Sequence, residues 1–154
     1  MDNFQRKEDE GRRKFAKLFQ GAQDIKFTTD KYDKVDAYVT GFTGEVAVME
    51  IKNRDIPSTK YAEEGYILEE NKYKALMDKY LEEGYSPYYI SFFNDDVWYI
   101  WDCRDVDNRK ILLQYCTSST AENYHRGEVE KRVFHLKPED AKFSSKKKNK
   151  TNKI

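Results

Sequence analysis

Soft metal donors are nearly absent from this sequence. Two cysteines, Cys103 and Cys116, and two histidines, His125 and His135, occur in 154 residues. The cysteines have no metal or disulfide spacing and read as reduced core or strand residues of a cytosolic protein. Two cysteines also exclude a four-cysteine iron–sulfur cluster. The histidines stand outside any H-x₃-H or H-E-x-x-H arrangement, so zinc has no support. No apolar run approaches the roughly 20 residues of a membrane span. The start, Met1-Asp2-Asn3-Phe4-Gln5-Arg6-Lys7, lacks the apolar stretch of a signal peptide. The expectation is a cytoplasmic protein with no membrane partner. Phosphate-cradling glycine motifs and a nucleophile elbow are missing too, which removes nucleotide binding of that kind and Ser/His/Asp catalysis.

Net charge is also missing, with 28 basic and 28 acidic residues. The balance is uneven. Residues 142–154 hold six lysines and no acid, leaving 22 basic against 28 acidic residues elsewhere. Residues 144–154 read as a Lys-rich tail without fixed structure. Such a tail suits either loose phosphate contact or solubility. Residues 1–143 are of a length for one domain. What the chain has in plenty is Tyr and Phe, twelve and nine. Half-buried sheets favour these residues, which can also stack on bases.

The periodicity predicts a helix over 12–22, with Phe15, Leu18, Phe19 and Ala22 on one face. Strands are expected over 25–29, 35–40 and 45–52, the last with an apolar centre suited to burial on both faces. Gly41-Phe42-Thr43-Gly44 marks a hairpin between the second and third. A second helix is expected from about Tyr66 to Glu83, ended by Gly84. Strands over 88–93 and 97–101 follow, joined by a turn at Asn94-Asp95-Asp96. Further strands are expected at 111–116 and 132–136, with a short helical start at Pro138. The class is α/β, a mixed sheet between helices.

The third strand ends in Glu50-Ile51-Lys52. Residues i and i+2 share a face of a strand, so Glu50 and Lys52 project together from an otherwise apolar segment. Charges there are costly unless paired or bound to a metal. In an antiparallel hairpin centred on Thr43, opposed positions sum to 86, which sets Asp36 across from Glu50. Opposed Cβ atoms lie about 5 Å apart, and like charges at that spacing need a cation. A hard divalent ion suits a set of carboxylate and carbonyl oxygens, here Asp36, Glu50 and the Ile51 carbonyl. Such an ion polarises a phosphate and lowers the pKa of a bound water. Lys52 could then orient the attacking water and stabilise negative charge. A solvated, salt-bridged surface hairpin accounts for the bare pattern as well.

Tyr32-Asp33-Lys34-Val35-Asp36-Ala37-Tyr38 followed by Val48-Met49-Glu50-Ile51-Lys52 resembles motifs II and III of the PD-(D/E)XK nuclease superfamily. Its members include restriction enzymes, phage exonucleases and archaeal Holliday-junction resolvases. The resemblance implies a restriction-endonuclease-like α-β-β-β-α-β core over about residues 5–101. It implies acids at Asp36 and Glu50, a catalytic lysine at Lys52, Mg²⁺ or Mn²⁺ as cofactor, and DNA as substrate. Val35 stands where the superfamily name has proline. Many members add a Glu from the first helix; Glu8 is the choice here and Glu10 the competitor. Several carry a lysine at the start of the second helix, which implies a role for Lys72 beside the substrate phosphate. With one site per chain, cutting both strands favours a homodimer. The alternative is a catalytically silent nuclease-fold module that binds DNA or protein.

Overall fold

The computed structural model describes residues 2–29, 34–117 and 128–146, with the backbone alone at 115–117 and 128. The chain opens with α1 (Asn3–Leu18), started by Asp2, whose side chain accepts a hydrogen bond from the Gln5 amide at 2.7 Å. This helix begins well before the expected Arg12. Its first half is polar and exposed, so it offers no apolar stripe to read. Strands β1 (Asp24–Phe27), β2 (Ala37–Thr40) and β3 (Val46–Asn53) follow as an antiparallel meander.

The segment Tyr66–Glu69, expected as the first turn of a helix, is a strand, β4. Helix α2 (Glu70–Glu83) starts directly after it and ends at Gly84, whose φ of 75° is the left-handed cap conformation. Strand β5 (Ser86–Phe92) lies parallel to β3, and β6 (Trp98–Asp102) returns beside it through a turn in which Asp96 takes φ 63°. Strands β7 (Leu112–Thr117) and β8 (Glu128–Leu136) pair with each other, and β8 pairs with β4. The last strand, β9 (Phe143–Ser144), closes the edge beside β6.

The result is a mixed α/β architecture. A six-stranded sheet runs β1-β2-β3-β5-β6-β9, and a separate three-stranded sheet runs β4-β8-β7. Strands β7 and β8 therefore do not extend the main sheet; they recruit β4 into a second one. Ser144, expected in the tail, is buried and opposite Tyr99. The rest of the Lys-rich segment, 147–154, lies outside the described residues, as do Lys31, Asp33 and His125.

Alternation sorts the core onto two faces. One face of the sheet presents Ala37, Val39, Met49, Ile90 and Ile100 to Phe15 of α1. Gly11 lets α1 come close: a Cβ there would lie 3.1 Å from the Asn53 Cβ. The other face presents Val48, Tyr89, Tyr99 and Trp101 to Leu76 of α2 and to Tyr66, Leu68 and Phe134 of the second sheet. Even-numbered residues of β3 thus face α2. Glu50 and Lys52 are the two that follow Val48.

Candidate functional site

The hairpin register is Ala37↔Met49, Tyr38↔Val48, Val39↔Ala47 and Thr40↔Val46, each pair summing to 86. Asp36 sits one step before β2, and its amide still bonds the Met49 carbonyl. Two residues further along β3, the Ile51 amide donates to Asp36 Oδ2 at 2.8 Å. The Asp36 side chain thus replaces the strand backbone that has just ended. A residue's amide and carbonyl point to the same strand edge, so the Ile51 carbonyl also faces the β2 side, past the end of that strand.

Glu50 is mostly buried, its side chain 14% exposed. Its Oε1 is buried with no hydrogen-bond partner, and its Oε2 lies 3.8 Å from Lys72 Nζ in the first turn of α2. Burial, and then the Asp36 carboxylate, push its pKa well above the usual carboxylate range; Lys72 and Lys52 pull the other way. The two carboxyls are near enough to share a proton if one is neutral, which also favours the protonated form. When both are ionised no hydrogen bond joins them, and Oε1 stands alone.

Lys52 extends from the same face to an exposed position. The surrounding protein, and then the Arg54 guanidinium, hold its ammonium below the ordinary lysine range, while Glu50 and Glu69 oppose that. Its accessible side keeps it in contact with water, which screens these effects. Arg54 turns inward, donating to the Ile67 carbonyl at 3.1 Å and to Tyr89 Oη at 2.8 Å. This ties β3 to β4 and β5.

Two contributors carry no sequence signal. Lys131 of β8 pairs with Glu69 at 2.6 Å, and both act electrostatically on Lys52. Glu69 is the residue that links β4 to α2. The second sheet therefore forms one wall of the site, which only the long-range pairing of β4 with β8 brings there.

Glu8 is exposed on α1, the helix packed on the opposite face of the sheet. Glu10 pairs with Lys14 at 3.3 Å. Among the described residues, no third Asp, Glu, His or Cys joins Asp36 and Glu50 as a possible metal ligand. Asp36, Glu50, Lys52 and Lys72 are brought together; Glu8 is not brought to them. Cys103 is fully buried, and burial raises its thiol far above the usual range, so it offers no ready thiolate.

The orphaned Glu50 Oε1 beside a second carboxylate fits a hard divalent cation. All the available donors are oxygens, and the burial that destabilises two bare anions is relieved by a cation between them.

A mixed sheet with helices on both faces and polar side chains gathered where β2 and β3 separate defines the fold and its candidate site. No family model matches the chain, and no curated protein matches it. Among solved structures, the chain is similar to the Holliday junction resolvase Hjc of the archaeal hyperthermophile Archaeoglobus fulgidus. The TM-score is 0.49 and the identity 10%, covering 80% of this chain and 86% of that one. Among the described residues, no helix is long and apolar enough to cross a membrane.

Proposed function

We propose that this chain is a Mg²⁺- or Mn²⁺-dependent nuclease that hydrolyses phosphodiester bonds in DNA. The observation that carries the reading is the paired Asp36 and Glu50 carboxyls, with Glu50 Oε1 buried and unsatisfied and two lysines beside them. The resemblance of these residues to motifs II and III supplies the reaction class.

Asp36, Glu50 and the Ile51 carbonyl are the groups suited to hold the cation. When bound, the ion supplies Lewis-acid polarisation of the phosphate and a more acidic water. The protein's own groups do the rest. The Asp36 carboxylate is fixed by the Ile51 amide, so one ligand is positioned before any metal arrives. Lys72 keeps Glu50 from being a lone buried anion. Lys52, on the open side, donates to a non-bridging phosphate oxygen and stabilises the charge that grows as water attacks and the bond to the leaving oxygen breaks. Arg54 adds positive potential behind Lys52, while Lys131 offsets the Glu69 carboxylate. Each chain carries one such site, so cutting both strands calls for two copies.

The test is cleavage of plasmid and branched DNA with Mg²⁺ or Mn²⁺, comparing the wild-type chain with Asp36→Asn and Lys52→Ala. Cation-dependent cutting lost in both variants supports the proposal. Cutting unaffected by either variant, or no cutting together with no cation binding, overturns it.

A further inference from the structure

A second polar site lies on the other side of the same strand end. Where β3 finishes, the first half of α1 leans over it and leaves a cavity of about 370 Å³ lined by Arg6, Lys7, Lys14 and Asn53 among others. The approach is fixed from three directions. Gly11 admits the close packing. Asn53 Nδ2 donates to the Lys7 carbonyl at 3.1 Å, and Lys14 Nζ donates to Asn53 Oδ1 at 2.9 Å. These contacts hold α1 so that Arg6 and Lys7 stand at the rim of the notch.

The charges there are not balanced. Lys14 is matched by Glu10, and the Arg54 guanidinium is turned inward to Ile67 and Tyr89. Among the described residues, the Arg6 and Lys7 side chains have no acidic partner within ion-pair distance, and Asp55 is the one remaining acid in the lining. Apart from its last thirteen residues the chain is acidic, so two unpaired cations facing a cavity stand out from its general charge.

We propose that this notch binds a backbone phosphate of the nucleic acid. This deepens the nuclease reading and rests on it for the choice of nucleic acid over other phosphates. Asn53 follows Lys52 directly and faces the opposite way, so the notch and the carboxylate pair flank one strand end. Ligands of sheets with parallel strands meet them at the carboxyl ends. A strand crossing the end of β3 meets Lys52 on one side and the Arg6–Lys7 rim on the other. The notch positions the strand without reading its sequence.

The experiment measures binding of a fluorescent DNA duplex and of a branched junction to the full chain in EDTA, across a salt series. Arg6→Ala/Lys7→Ala is compared with Arg13→Ala/Lys17→Ala, which removes the same charge from exposed positions of α1 outside the notch. The notch predicts binding weakened about tenfold in the first pair, with the salt slope reduced by about one, as loss of one phosphate contact requires. The second pair stays within about twofold. Equal losses in both pairs, no loss in either, or no DNA binding by the wild-type chain overturns the proposal. Cleavage with Mg²⁺ is scored separately. Selective loss of binding with neither wild-type cleavage nor cation binding keeps the notch and rejects catalysis. Wild-type cleavage with no selective loss keeps catalysis and rejects the notch.

Discussion

Asp36 and Glu50 meet where β2 gives out and β3 runs on, the one carboxylate anchored to the Ile51 amide and the other holding a buried oxygen with no hydrogen-bond partner. Removing a charge from this pair has opposite effects with and without a cation. In EDTA, Glu50→Gln relieves a desolvated anion and its repulsion with Asp36, so the melting temperature rises by about 2–4 °C, equivalent to about 1 kcal/mol. With Mg²⁺ present the wild-type chain is stabilised and the variant is not. Thermal melts of both, with and without Mg²⁺, measure this. A variant less stable in EDTA contradicts it.

The proposed function gives Lys52 and Lys72 different roles. Lys52 is exposed, so Lys52→Met leaves the melting temperature nearly unchanged and lowers the cleavage rate by about 100-fold or more. Lys72 acts through Glu50, and Lys72→Met lowers the rate by about tenfold. Single-turnover cleavage at saturating metal measures both. An equal, small effect in the two variants rejects the assignment.

Gly11 is a packing requirement. Gly11→Val forces side-chain carbons into Asn53 and Ile51 and lifts α1 from β3, costing about 2 kcal/mol despite the better helix propensity of most residues over glycine. Urea unfolding of the variant reads the loss directly. Unchanged or increased stability shows that α1 has room to move.

Asp102 sets a pH dependence remote from the site. Burial alone pushes its carboxyl up, but hydrogen bonds from Arg104, and one from Lys142, outweigh that and leave it below the usual range. Its folded pKa is thus below the unfolded one. The stability it contributes is present above the unfolded value of about 3.9 and is lost as pH falls through the folded value. Asp102→Asn lowers stability at pH 7 by about 1–3 kcal/mol and flattens the decline between about pH 5 and pH 2. Unfolding curves across that range measure it; a parallel decline in the variant contradicts it.

The hairpin of the candidate site was legible because its information is local. Gly41–Gly44 fixed the turn, the turn fixed the register, and the register, ending at Ala37 opposite Met49, brought Asp36 and Glu50 to the same end of the hairpin. Glu50 and Lys52 ending an apolar strand fixed their common face. What was not legible depends on distant partners. Tyr66-Ile67-Leu68-Glu69 is a strand because Phe134 and its neighbours lie beside it, nearly seventy residues later. Without that partner, the segment merges with the helical pattern that follows. Lys131 reached the site by the same pairing. Glu8 was chosen by extending the α1 stripe, but α1 lies across the face of the sheet opposite to Glu50. The first half of α1 hid its helix start in a run of charge.

The measurement that tests the account most directly is calorimetric titration of Mn²⁺ and Mg²⁺ into the wild-type chain, Asp36→Asn and Glu50→Gln. Asparagine at 36 keeps an oxygen for the Ile51 amide, so that variant removes charge while preserving the anchor. The account predicts saturable binding by the wild-type chain and a loss of about tenfold or more in each variant. Wild-type binding that survives unchanged in both variants, or no binding by the wild-type chain at all, contradicts it.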